Sequence, residues 1–553
     1  MTASTAVLAP SAYFTESFTD EETAVLKRYF TNTTEPVFAL INLPEVVKGA
    51  LFSRYSRSPK SVRRLFLDEF YDQPEIGIAA VADQFDGEGA VGTERAEQLY
   101  HRVFTQYGDD SVAQLGGVHL ACEQASNILT KVLEWGRLAA YLEQSTRYMF
   151  YDKKRDDRYR CFTPPEIAVS PLADRYDQTV EWLFDTYSGL TQRLYDYYAE
   201  LFPKAESDSD FVYRSTIRAK TCDDLRGLLP AATSSNVGIY ATGQAYEQLL
   251  LRMRAHPLAE ARHYADRMMV ELRKVIPAFL RRVDVEDRGV AWSAYLADTS
   301  ERMRKLAAGF DQAIPDRADV TLVDWDPEAE TKVAAAALYA SSDLPDDVLL
   351  SLVRDLPEDE QTRLIAAYVG ERGNRRHKPG RGMERADYRF DILCDYGVFR
   401  DLQRHRMMTL EWQRLGTHHG YVTPAPLAEI GAEPVWHEAM ERTASLHADL
   451  VETCGADVAQ YAVPFAYRIR FFMQMNAREA FHLLELRTGE GGHPDYRRVA
   501  QDMHRLIRDK AGHTRIADAM RFVDYTDYEL ERLSTERKAA ARRAAAGVAD
   551  PTD

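Results

Sequence analysis

The sequence predicts an α+β protein of two tandem domains of one kind, each a small mixed sheet packed with long helices. Three observations carry this. At 553 residues the chain is longer than one ordinary core encloses. Short strand-like segments stand among longer helical patterns. The two halves also place the same features in the same order: a strand-like segment, a helix carrying an arginine cluster, an irregular stretch, a Pro-containing segment, then two helices.

Taken along the chain, residues 1–35 read as a variable lead-in and 36–285 as the first domain. Residues 286–317 form a charged connector, 318–535 the second domain and 536–553 a disordered tail. In the first half, Pro44–Phe70 mixes helical periodicity with basic residues, and residues 86–91 (DGEGAV) are a loop. A long helical pattern runs from about Ser111 to Met149. Polar, Pro-containing segments near 152–171 and 203–210 follow, then helical patterns over about 233–254 and 258–284.

The second half opens on VTLVDWDP (320–327), whose apolar alternation is that of a strand ending at a turn. A helix follows from about Glu328 to Ala340. After the basic loop GNRRHKPGRG (373–382), a strand-like YRFDI leads into a helix running through RDLQRHRMM. MNAREAFHLLELR and DYRRVAQDMHRLIRDKAG are two more helices. The tail after about Arg537 has no apolar face and is expected to fray. LLPAAT (228–233) and AVPFAY (462–467) correspond, and each precedes a helix ending in Arg.

Composition narrows the function classes. A net charge of −17 argues against a nucleic-acid coat, which needs a basic face. It leaves room for a small anionic ligand held by a few converging arginines. No stretch approaches the roughly 20 uncharged apolar residues of a bilayer span, and the N-terminus lacks a basic region followed by an apolar one. The five cysteines (Cys122, Cys161, Cys222, Cys394, Cys454) are scattered without metal-ligand spacing, so no metal site and a cytoplasmic location are expected.

Three constellations carry chemistry. Arg404-His405-Arg406 is a compact donor cluster suited to a phosphate or diphosphate; an isolated tripeptide of this kind is more often a solvated basic turn. Glu143-Gln-Ser145-Thr-Arg147-Tyr148 sets a carboxylate, a hydroxyl and a guanidinium together, able to grip a nucleotide's phosphate and sugar. Its plainer reading is a helix cap with surface ion pairs. In the third, Asn476, Arg478, His482 and Arg487 ride one helix, with Arg478 and His482 on one face and Asn476 and Arg487 on another. Ordinary core packing with exposed polar residues explains that pattern equally well.

Taken together, these segments resemble the flavin-dependent thymidylate synthases, the ThyX family. That family's motifs are RHR, then E-x-S-x-R-Y, an A-R-x-x-L-P segment, and a late helix N-x-R-(E/S)-x-x-(N/H)-x-x-x-L-R. The second half keeps RHR at 404–406 and the late helix (Asn476, Arg478, His482, Leu486, Arg487), but has Arg414, Gly416 and Gln460 where the family has Ser, Arg and Arg. The first half does the reverse. Trp135-Gly136-Arg137 replaces RHR, while Glu143, Ser145, Arg147 and Arg226 are retained. In its late helix Gly243 and Ala245 stand opposite Asn476 and Arg478, and Arg254 opposite Arg487. GDDSVAQ (108–114) resembles the family's G-H-x-S-x-x-E-H segment, with Ser111 kept and Asp109 and Gln114 in place of the histidines. The resemblance covers roughly 36–285 and 318–525.

The resemblance implies a division of labour, because the family builds each site between neighbouring subunits of a homotetramer. One composite site would join Glu143, Ser145, Arg147, Arg226 and Arg254 as nucleotide ligands to Arg404, His405, Arg406, Asn476, Arg478, His482 and Ser111 as FAD ligands, with Arg487 against the pyrimidine. The other would be dead. The implied reaction is reductive C5 methylation of dUMP, with methylenetetrahydrofolate and NADPH as co-substrates, in a homodimer of tandem chains. Random decay would not be expected to spare one composite site. Three rivals stay open: a flavoenzyme acting on another pyrimidine nucleotide or without folate, a non-catalytic nucleotide- or flavin-binding regulator, and a scaffold binding neither.

Overall fold

A computed structural model describes residues 16–30, 32–34, 40–45, 47–48, 51, 60–71, 114–154, 157–310, 312–313 and 315–547. Ser111, Asp109 and the loop 86–91 lie outside the described residues. The described chain is helices with two small sheets, as the α+β class requires. The first sheet has the order β1-β3-β2, with β1 Gly117–Ser126, β2 Ala139–Glu143 and β3 Ser234–Thr242. The second has the order β4-β5-β7-β6, with β4 Val320–Trp325, β5 Asp387–Asp395, β6 Thr409–Trp412 and β7 Arg468–Asn476. Its pairings are antiparallel throughout, not mixed.

The chain divides into two compact units that do not follow the sequence repeats. One comprises Met1–Cys122, Leu138–Leu142 and Gly238–Phe310; the other Glu123–Arg137, Glu143–Val237 and Asp311–Asp553. In the first, the helix Asp20–Tyr29 starts at a capping box formed by Thr19 and Glu22, and packs Tyr29 and Phe30 on Phe66. The helices Gly243–Arg254, Ala259–Arg273 and Ala291–Ala307 complete it.

In the second unit, β7 and β5 alternate strictly. Ile469, Phe471, Met473 and Met475, with Tyr388, Phe390, Ile392 and Cys394, are all buried, while their neighbours are less so. Both repeats run from a strand straight into a seven-residue helix capped by a polar side chain. Ser126 caps Asn127–Leu133 and Asp395 caps Tyr396–Leu402. The two Pro-containing segments meet antiparallel at Pro230 and Pro464. Ala231 N–H donates to Val463 O (2.8 Å) and Phe465 N–H to Leu229 O (2.9 Å), so the duplicated segments pair with each other in one unit.

Several expected elements differ. The helix expected over 111–149 is, in its described part, β1, a short helix and β2; Gln124 at φ 59° breaks the strand's register and blurs its alternation. Residues 234–242 are β3, with Val237, Ile239 and Ala241 inward, rather than the start of a helix. The helix before RHR ends at Leu402. The tail is not without structure, since Leu533–Ala545 is a helix.

Candidate functional site

Three buried networks lie in the second unit, and the first two join residues of both repeats. The first is centred on Glu143, at the end of β2, with its side chain 1% exposed. It accepts from Arg400 (2.9 Å), Arg404 (3.0 Å) and Lys131 (3.1 Å), and Lys131 also holds Glu134 at 2.7 Å. Burial alone would raise the Glu143 carboxyl's pKa, but Arg400, Lys131 and Arg404 hold it far below the usual carboxylate range.

The second network grips Arg147. Its Nε and one terminal nitrogen donate to the two carboxylate oxygens of Asp223, both at 2.7 Å, and the other terminal nitrogen donates to Tyr496 Oη at 3.0 Å. Ser145 Oγ accepts from Arg147 N–H (3.1 Å) and shapes this turn. Arg532, 4% exposed, adds longer bonds to Asp223 and stacks over Tyr148 at 4.1 Å. Nearby, Arg226 is 3% exposed and pairs with Asp401 at 3.1 Å. Its other terminal nitrogen is buried without a hydrogen-bond partner among the described residues.

The third is a relay. Asn476 ends β7 and caps the helix Ala477–Arg487 by accepting from Glu479 N–H (2.9 Å). Glu479 lies 3.1 Å from His405 Nδ1, and Arg487 Nε donates to His405 Nε2 at 2.9 Å. Those contacts define the ring as a donor at Nδ1 and an acceptor at Nε2. Burial pushes the His405 pKa down to about 4, with Arg487 adding to the shift. Glu479 is held at about 2, because its bonds to His405 and His482 outweigh its burial. The Arg487 guanidinium lies 5.3 Å over the Tyr496 ring, as does that of Arg147, so Tyr496 joins the second and third networks.

His405, Glu479 and His482 also bring three ligand atoms within 4.8 Å of one another, a set able to hold a metal ion. Arg487 on the far side of the His405 ring opposes a second cation there, which favours a hydrogen-bond relay.

A titration follows from these burials. His405 and, by burial beside Arg226, His493 are neutral in the fold down to about pH 4. Unfolding raises both toward about 6.5, so each subtracts stability as pH falls from about 6.5 to 4. Asp224, lifted to about 7 by burial, acts oppositely over about pH 7 to 4, because its folded form binds the proton first. Relative to the parent chain, His405→Gln is therefore expected to become less acid-sensitive and Asp224→Asn more so. Each changes the slope by up to about 1.4 kcal/mol per pH unit. Urea midpoints at several pH values read this, and parallel profiles for all three proteins would contradict it.

Arg404 and Arg478 remain part-exposed, at 40% and 39% of the side chain, and Arg406 is half-buried. Arg478 donates to Pro379 O in the basic loop (3.1 Å). Arg254 belongs to the first unit, where it is bound to Asp284 and Asp266, and it is not the counterpart of Arg487. Helix caps explain this. Thr242 caps Gly243–Arg254 as Asn476 caps Ala477–Arg487, so Thr242, not Gly243, is the counterpart of Asn476. The register shifts by one and Met253 falls opposite Arg487.

The lost half-motifs are filled. Trp135 Nε1 donates to Leu410 O (3.1 Å) and its ring meets Trp412 edge-on at 6.3 Å. Arg414 pairs with Asp457 (3.0 Å), and Gln460 accepts from Leu415 N–H (2.9 Å). No local motif gives Lys131, Asp223, Arg400, Asp401, Tyr496 or Arg532 a role in the site. Arg400 and Asp401 stand one helical turn before Arg404, and Glu479 lies inside the late-helix motif. Arg532 stands beyond every motif and gave no signal.

The fold and the networks define a duplicated α+β protein whose two repeats share one buried arginine–carboxylate–histidine centre. A sequence profile described as thymidylate synthase complementing protein matches twice, over residues 69–278 and 321–512. The chain belongs to that family. It is similar to a UPF0159 protein of Chlamydia pneumoniae, with 40% identity covering 95% of this chain and 98% of the relative. A UPF0159 protein of Chlamydia muridarum is 38% identical, covering 95% and 99%. One of Thermoplasma acidophilum is 32% identical, covering 88% and 97%. Among the described residues no helix is long and apolar enough to cross a membrane.

Proposed function

We propose that the protein is a flavin-dependent thymidylate synthase-like enzyme that methylates dUMP at C5, using methylenetetrahydrofolate, NADPH and one FAD per chain. The observation carrying this reading is the convergence of the surviving half-motifs: Arg404 of the second repeat on Glu143 of the first, and Arg147 and Arg487 on the same Tyr496.

The residues present fit an anionic cofactor. The turn 404–406 meets the first turn of the helix Ala477–Arg487 through His405 and Glu479. Lys378 adds a cation beside Arg478 and Arg375, and burial, opposed in part by Glu479, pulls its ammonium's pKa below the usual range. Arg404, Arg406, Arg478 and His482 would hold a flavin and its diphosphate there. When bound, FAD supplies the hydride chemistry.

The chain's own residues orient and polarise. Glu479 fixes the His405 tautomer, and His405 fixes Arg487 through Nε. The planar Arg487 cation is thereby oriented to stabilise the negative charge that develops on a pyrimidine during transfer. Its pKa is lowered by burial, yet nearby Asp401 supports the charged form.

A second reading has a specific observation behind it. Arg147 and Arg226, expected to hold the nucleotide phosphate, are already paired with Asp223 and Asp401. That favours a flavin-binding member of the family with another nucleotide, or without turnover. Two measurements decide. Purified protein is expected to be yellow with one flavin per chain, and Arg404→Ala or Arg478→Ala should lower occupancy sharply. Tritium release from dUMP labelled at C5 should require NADPH and methylenetetrahydrofolate. Two flavins per chain, or none after reconstitution, would refute the composite site; flavin without tritium release would leave the second reading.

A further inference from the structure

Six of the fourteen residues from Arg372 to Arg385 are basic and one is acidic, in a chain whose net charge is −17. Three of the six are neutralised: Arg372 by Glu485, Arg381 by Glu384 (3.0 Å) and Arg385 by Asp346 (2.9 Å). The other three, Arg375, Arg376 and Lys378, are exposed and form no ion pair among the described residues. The loop that carries them is fixed at both ends. Arg372, 2% exposed, donates to both carboxylate oxygens of Glu485 (2.6 and 2.5 Å), to Ala519 O (3.1 Å) and to His377 O. At the far end Gly382 N–H donates to Tyr368 Oη at 2.7 Å, and a Cβ at Gly380 or Gly382 would come within 2.3 or 2.9 Å of that hydroxyl. In between, Asn374 closes a turn by accepting from His377 N–H at its carbonyl (3.1 Å) and from Arg376 N–H at its side chain (2.9 Å). The three free cations therefore stand on backbone that is already ordered, so little entropy is lost when they engage a ligand. Pro379 O accepts from Arg478 Nε at 3.1 Å, which ties the loop to the first turn of the helix Ala477–Arg487.

We propose, resting on the flavin reading of that neighbouring helix, that Arg375, Arg376 and Lys378 hold the 2′-phosphate of the dinucleotide that reduces the flavin, and so select NADPH over NADH. The tip of the loop suits a compact dianion. Its cations fall within four consecutive residues of one closed turn. A phosphate monoester carries about −1.5 to −2 at neutral pH on three oxygens, two of which a single guanidinium fork can engage. An extended polyanion, such as the oligoglutamate tail of a folate, needs cations strung along its length. On either side of the tip, Arg372, Arg381 and Arg385 are already spent on carboxylates. A hydride donor lays its nicotinamide on the flavin and leaves its adenosine end outward, and the 2′-phosphate is the one group there that NADH lacks. Exposed cations beside the flavin half are suited to read that group without touching the chemistry.

Titration calorimetry of the full chain should show 2′,5′-ADP bound about tenfold or more tightly than 5′-AMP, the size of one charge-assisted phosphate contact. Because the cations are exposed, that preference should shrink as salt is raised. Arg375→Ala combined with Arg376→Ala should abolish it while leaving 5′-AMP binding and flavin content as in the parent. The thermal transition should not move, since neither side chain has an ion pair to lose. Lys378→Ala alone should remove part of the preference. No binding of 2′,5′-ADP, equal affinity for the two nucleotides, or a preference that survives the double substitution would each overturn the assignment. So would a tetraglutamate that binds more tightly than 2′,5′-ADP and is lost in the same variant. Selective binding of 2′,5′-ADP, lost in the double variant, by a protein that takes up no flavin would leave the phosphate seat standing and refute the flavin reading instead.

Discussion

Glu143→Gln is expected to destabilise the protein by about 3–5 kcal/mol, the usual cost of removing one partner from a buried ion cluster. The loss follows from the count of charges. Arg400, Arg404 and Lys131 share this one carboxylate, at 2.9–3.1 Å. Glutamine keeps the shape and removes the charge, leaving Arg400, 3% exposed, bonded to the Thr146 hydroxyl and to no other carboxylate among the described residues. Urea unfolding measures the effect directly. A loss below about 1 kcal/mol, typical of a solvent-screened pair, would mean that Glu143 is free to serve as a ligand for the nucleotide, as its motif alone implies. The same reasoning makes Arg147→Ala a stability variant before it is a binding variant, since Asp223 would be left facing Arg532 alone.

Arg487→Ala is expected to lower dUMP-dependent tritium release by about 10²–10³-fold, the range for deleting one oriented transition-state donor, with flavin still bound. Arg487 is held between His405 Nε2 and the Tyr496 ring, so its direction is set before any ligand arrives. Arg487→Lys should recover only part of the rate, because an ammonium restores charge but not the planar donor fork. Release in Arg487→Ala within tenfold of the parent rate would remove Arg487 from the mechanism; loss of flavin in the same variant would place it with the cofactor instead.

Much of the architecture was legible because it depends on local pattern. VTLVDW alternates and is β4, and the late helix is a helix from Ala477 to Arg487. The duplicated order is matched by two segments of one family profile. Legibility failed where two patterns run together. In 234–254 a strand with alternate residues inward passes into a helix at Thr242 without a turn. The apolar count is continuous across that junction, and only the cap marks the change. The same junction recurs at Ser126, Asp395 and Asn476.

By itself the sequence determined the residue types at stake: a nucleotide-type half-motif around Glu143 and Arg147, a flavin-type half-motif around His405 and Arg478, and an order that repeats. The tertiary structure decided what those groups face. It set Glu143 against three cations and Arg147 against Asp223, and it filled the lost half-motifs with Trp135 and Trp412. It also paired Arg254 with Asp284 and Asp266. The physical reason is that a charge's role depends on its counter-charge and its solvent. Asp223 stands 76 residues from Arg147, Asp401 175 from Arg226, Arg532 309 from Asp223 and Tyr496 349 from Arg147, separations across which no local spacing carries information.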